Sequence, residues 1–206
     1  MPYLTKDVGT AYQEREAAKK SESKTSSYLN AGDITNEPTR VTPVGGDSVT
    51  GFLVWTRDAN DYSKRLKMVF ADEPSKEDIE RRADECGASL DGKERSSQFF
   101  GLFVWNYEAE AIQYFEFAQK SLVSPFVEAM SEEEISADPE AFDWKLTCDR
   151  SGEFPKYSLQ VLPGWRRKPQ YADKIEQAWS KVAAKANVQV ALTGGDVFKG
   201  TVTNLF

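Results

Sequence analysis

The stretch Gln98-Phe99-Phe100-Gly101-Leu102-Phe103-Val104-Trp105-Asn106-Tyr107, followed by Tyr114-Phe115-Glu116-Phe117, is where the fold is decided. Its run of aromatic residues reads as a strand. Successive side chains on a strand point to opposite faces. Phe100, Leu102 and Val104 therefore share one face, which suits a core. Phe99, Phe103, Trp105 and Tyr107 share the other with Gly101. A face of flat rings suits either a second layer of protein or the bases of an unpaired nucleic acid. Those two readings lead to different functions.

Outward from this stretch the chain continues to read as strands. Thr39 to Thr42 is extended, breaks at Pro43 and turns at Gly45-Gly46-Asp47. Gly51 to Arg57 follows, with Leu53, Trp55 and Arg57 on one face. Lys64 to Phe70 alternates again, placing Leu66, Met68 and Phe70 inward and Arg65 and Lys67 outward. Ser75 and Asp78 have capping-box spacing and open a short helix that stops at Gly87, and Ala88 to Ser97 reads as a loop. Ala111 to Phe117 is the hairpin partner of the aromatic strand. Leu122, Phe126 and Met130 then recur at helical spacing, with Pro125 as a candidate helix start. Phe142 to Arg150 and Lys156 to Leu162 form the clearest hairpin, with Trp144, Leu146 and Cys148 facing Tyr157, Leu159 and Val161. Ile175, Trp179, Val182 and Ala186 make an amphipathic helix of Tyr171 to Asn187, and Val188 onward contains a possible strand.

This order predicts a β-rich α+β fold. Five strands with a helix between the third and fourth is the arrangement of the OB-fold, a five-stranded, partly open Greek-key barrel. Residues 1–36 read as an N-terminal extension, 37–163 as the barrel core with an insertion at about 72–97, and 164–206 as a C-terminal helix and tail.

Composition excludes several chemistries. The 206 residues include no histidine and two cysteines, Cys86 and Cys148. Imidazole bases, Ser-His and Cys-His nucleophiles and a structural zinc held by four Cys or His ligands are therefore all ruled out. No cofactor is expected. No apolar run approaches the roughly 20 residues a membrane span needs, and Thr5 to Ser27 is largely polar; with so few cysteines, a reducing cytoplasm is the expected compartment. The net charge is −7, but Glu108 to Asp143 holds ten acidic residues and one lysine, a local −9 that leaves +2 for the rest. A basic patch is thus compatible with an acidic total.

A nucleic-acid reading uses Trp55, Phe103, Trp105 and Tyr107 as stacking platforms, since every base has a π-face. Arg40, Arg57, Arg65, Lys67, Lys145 and Lys156 supply the phosphate contacts, and Arg166-Arg167-Lys168 is a further basic cluster. The bland reading of the same rings is core, or an interface under the C-terminal helix. Asp143-Trp144-Lys145 has the acid-x-lysine spacing of some magnesium nucleases but lacks a second carboxylate from a preceding strand. A strand-edge charge paired with a lysine explains Asp143 better.

Several segments together carry a family resemblance. They are Asp33-Ile34 through Thr39-Arg40-Val41, Gly51-Phe52-Leu53-Val54-Trp55, Lys64-Arg65, Val104-Trp105-Asn106-Tyr107 and Ala118-Gln119-Lys120-Ser121-Leu122. The closest is Asp143-Trp144-Lys145-Leu146-Thr147-Cys148-Asp149-Arg150-Ser151-Gly152 with Pro155-Lys156-Tyr157-Ser158-Leu159. Over residues 33–163 the chain resembles phage-encoded single-stranded DNA-binding proteins. The resemblance implies an OB-fold that coats transient single strands during replication, recombination or repair, without catalysis, in the host cytoplasm and beside replication or recombination proteins. It departs from the family in two ways. A zinc subdomain cannot form, and the acidic tail of many relatives is missing, since Asp196 is the only acid between Glu176 and the terminal Phe206.

Overall fold

The computed structural model describes residues 26–164 and 169–200. The first 25 residues of the expected N-terminal extension, the basic cluster Arg166-Arg167-Lys168 and Phe206 lie outside them. Among the described residues eight strands make one sheet: β1 (Tyr28–Asn30), β2 (Thr39–Asp58), β3 (Arg65–Phe70), β4 (Ala88–Ser89), β5 (Ser96–Asn106), β6 (Ala111–Phe117), β7 (Phe142–Asp149) and β8 (Lys156–Pro163). Their order is β1-β6-β5-β2-β7-β8, with β3 and β4 also pairing on β2. Every pair is antiparallel except β1 with β6. The sheet is mixed and open, with β1 and β8 at the two ends of that order. Among the described residues four α-helices accompany it: α1 (Lys76–Cys86), α2 (Lys120–Met130), α3 (Glu133–Ala137) and α4 (Pro169–Val182). The chain is a β-rich α+β protein.

Several elements match the sequence reading. The β7–β8 register is Trp144↔Val161, Leu146↔Leu159 and Cys148↔Tyr157. Helix α1 begins at the Ser75–Asp78 capping box and ends on Gly87 in the left-handed region. Others differ for physical reasons. The expected break at Pro43 is absent, because the segments on both sides of it pair with the same strand β5. The turn residues Gly45 and Gly46 do adopt positive φ, 84° and 70°, but as a bulge inside one 20-residue strand. Residues 26–36 belong to the fold rather than to an extension. Tyr28 pairs with Tyr114, and Ile34 is wholly buried. Pro125 lies within α2 rather than at its start. The expected loop over Ala88 to Ser97 contains β4 and the start of β5, and Val188–Thr193 is a 3-10 helix instead of a strand.

Both faces of the sheet are covered. Leu102, Val104, Phe115, Phe117, Trp144 and Leu146 pack against Leu122 and Phe126 of α2. Phe99, Phe103, Trp105 and Tyr114 pack against Ile175 of α4 and against Val188, Val190 and Val197 beyond it. A small third cluster of Val54, Met68 and Ala83 lies under α1. Alternation along β5 thus divides the residues as their spacing predicts, and protein covers each side.

Gly101 marks how closely the second layer is packed. A Cβ built there would stand 1.9 Å from the Tyr114 hydroxyl oxygen. That hydroxyl is buried and has no hydrogen-bond partner among the described residues, and burial holds its pKa well above the usual tyrosine value. Gly101→Ala is therefore expected to destabilise the protein by about 1–3 kcal/mol through overpacking. Tyr114→Phe in the same chain removes that oxygen but leaves the ring carbon Cζ 2.6 Å from the added Cβ, so it is expected to restore only part of that loss. Chemical denaturation of the three variants measures it, and a rescue that fails would place the strain elsewhere.

Candidate nucleic-acid interface

Antiparallel pairing of β2 with β3 sets Trp55 opposite Lys67 and Arg57 opposite Arg65. Opposite residues on a strand pair share a face, so these four side chains form one strip. Leu53 and Val69 start the same strip but lie buried in the layer beneath the C-terminal segment. Beyond that cover the strip emerges, and Trp55 is 47% exposed. The Arg65 guanidinium lies over the indole, 4.7 Å from its centroid, a cation–π contact that holds the ring outward. Arg57 donates to the Tyr62 carbonyl at 2.5 Å, and Tyr62 itself stands exposed in the β2–β3 turn. The Lys67 ammonium is 2.7 Å from Glu116, so its charge is partly compensated within the chain. Cation and ring alternate here without a covering element among the described residues.

The rings of β5 are placed differently. Phe103 and Trp105 are only 2% and 3% exposed. Phe103 meets Trp179 of α4 at 5.5 Å and Phe198 at 5.2 Å between centroids. Tyr107 packs edge-on to Tyr171 of α4 at 5.1 Å. The expectation that Phe103, Trp105 and Tyr107 lie open for stacking is corrected by this arrangement. Amphipathic α4 needs an apolar surface for its own stripe, and the ring face of β5 supplies it.

Arg40 also has an internal role. Its guanidinium pairs with Asp143, which is 0% exposed, and lies over the Tyr107 ring at 4.9 Å. Tyr107 donates its hydroxyl to the other Asp143 oxygen at 2.8 Å. Burial raises the Tyr107 pKa well above its usual value, which keeps that donor proton in place. Both carboxylate oxygens of Asp143 are thus engaged, a role that suits a buried ion pair rather than metal binding. Among the described residues no group of three or more Asp, Glu, Cys or His side chains could hold a metal ion.

Lys145 sits opposite Arg40 on β7 and is half-buried, and Lys156 is exposed at the start of β8. Of the ten residues proposed as a site, the structure brings Trp55, Arg57, Arg65 and Lys67 together. Arg40 and Tyr107 meet on Asp143, Lys145 lies across the strand pair from Arg40, Phe103 and Trp105 are core, and Lys156 stands at the far end of its hairpin. Sequence reasoning missed Tyr62. Its place in the polar turn after Arg57 was the available signal. It also missed the Arg40–Tyr107–Asp143 network, which joins residues 103 positions apart.

No helix among the described residues is long and apolar enough to cross a membrane. No family model, curated protein or solved structure matches the chain, so the reading of its function rests on its own residues.

Proposed function

We propose that the chain binds single-stranded DNA with little dependence on sequence, as the phage single-stranded DNA-binding proteins it resembles do. The observation that carries this reading is the open indole of Trp55 set among Arg57, Arg65 and Lys67. An exposed ring stacks any base, and flanking cations take the adjoining phosphates. The strand order supports an OB-fold as the frame. Apart from β3, α1 and β4 inserted between the first two, strands β2, β5, β6, β7 and β8 follow one another with α2 between the third and fourth, and β2 pairs with both β5 and β7. Pairing of β6 with β8 would close such a barrel; here β6 pairs outward with β1 instead. The stacking surface in this reading is the β2–β3 ribbon rather than β5.

Intrinsic tryptophan fluorescence, titrated with a thymidine oligomer at two salt concentrations, tests it. Three phosphate contacts give a slope of log affinity on log salt near −2, at about −0.7 per contact. Trp55→Ala is expected to cost about 1–3 kcal/mol of binding, roughly 5- to 150-fold, with the fold intact. Affinity that ignores both salt and Trp55 would remove the basis for the proposal.

A second reading, a β-rich interaction module, is favoured by the burial of Phe103 and Trp105 against protein. It would use Trp55 and Tyr62 as anchors for a protein partner. Binding of that kind would not fall steeply with salt.

A further inference from the structure

Strand β8 lies at an end of the strand order and, among the described residues, pairs only with β7. The Tyr157 N–H points away from β7 and donates to the Ser121 hydroxyl of α2 at 3.2 Å. Backbone groups of alternate residues face the same edge of a strand, so those of Leu159 and Val161 also face away from β7. Among the described residues no strand pairs with them. Beside this edge, lined by residues of α2, α3 and the β7–β8 hairpin, lies a groove of about 420 Å³. Its apolar lining comes from Pro125, Ala129, Phe142, Leu159, Val161 and Leu162. Glu128, Glu132 and Glu134, all exposed, form its rim, and no described lysine or arginine lines it.

We infer that this groove docks an extended, basic segment of a partner protein, which adds as a short strand to the free edge of β8. Unpaired backbone groups beside an apolar trough are what strand addition requires. Alternate apolar side chains of the segment fill the trough, and the lysines or arginines between them meet the three glutamates. Charge also selects against other occupants. A second copy of the chain joined by a two-fold axis would bring two glutamate rims together. Nucleic acid would bring phosphates to the same rim. The groove is thus opposite in charge to the Trp55 strip, and the two surfaces take different ligands.

The test uses the full chain and a fluorescein-labelled octapeptide of alternating valine and lysine, followed by anisotropy. Saturable binding tighter than about 1 mM is expected. Replacing the peptide lysines by glutamates, or N-methylating alternate backbone nitrogens, is expected to abolish it. Glu128→Lys, Glu132→Lys and Glu134→Lys together, on exposed positions, are expected to weaken it about tenfold or more while circular dichroism stays unchanged. No binding of the lysine peptide, or equal binding of the N-methylated or glutamate peptide, overturns the inference. So does sedimentation showing that the chain pairs with itself through β8.

Discussion

Trp105→Ala is expected to destabilise the folded protein by about 3–5 kcal/mol and to leave oligonucleotide affinity per folded molecule unchanged. The indole lies in the cluster that joins β5 to α4 and the segment beyond it, so truncation opens a cavity between two layers. The transfer cost of the ring and the cost of the cavity then add. Trp105→Phe keeps most of the packing and removes an indole N–H that is buried without a described partner, so it is expected to cost far less. Urea denaturation gives the stability, and anisotropy on the folded fraction gives the affinity. A stable Trp105→Ala protein that has lost DNA binding would put stacking back on β5 and would mean that α4 leaves the sheet.

Asp143→Ala is expected to cost about 3 kcal/mol, the low end for breaking a buried ion pair, because Arg40 keeps some contact with water. Removal of the carboxylate strands two donors at once, the Arg40 guanidinium and the Tyr107 hydroxyl. The Nε of Arg40 is already buried without a described partner, so the site has no spare acceptor to offer. Arg40→Ala is expected to destabilise at least as much, since among the described residues it leaves a fully buried carboxylate with only Tyr107. The double variant should cost clearly less than the two single losses together, because each single change already breaks the same interaction. Additive losses in a denaturation cycle would show that Arg40 and Asp143 act independently. The pair also bears on function: an Arg40 held by Asp143 gives up that bond before it can meet a phosphate, so Arg40→Ala should affect stability far more than DNA affinity.

Helix α4 and the ring face of β5 show how the function question depended on the third dimension. The sequence identified α4 as amphipathic and the β5 face as aromatic, and it offered their pairing only as the alternative to an open stacking face. They turned out to be partners of each other. Only then does Trp55 stand apart from Phe103 and Trp105, although all three look alike as strand aromatics. The strip at β2–β3 was legible one residue at a time, since Arg65 and Lys67 are outward in any alternating strand. That Trp55 faces Lys67 follows from the register, which Asp58 to Lys64 closes in a turn whose geometry the residues only suggested.

Local order was readable from the chain itself. Side-chain alternation has a period of two on any strand, so the division of β5 into Phe100, Leu102, Val104 and Phe99, Phe103, Trp105 required no knowledge of neighbours. Capping by Ser75 and Gly87 and the facing residues of the β7–β8 hairpin are equally short-range. Long-range contacts decided the rest. Pro43 and the two following glycines look like the end of a strand until β5 pairs across them. Tyr28 to Ile34 looks like part of an extension until β6 and the core receive it. Arg40 looks like a surface cation until Asp143 arrives beside it. Burial is a property of pairs of segments, and these pairs are joined by chain too long for local spacing to register them.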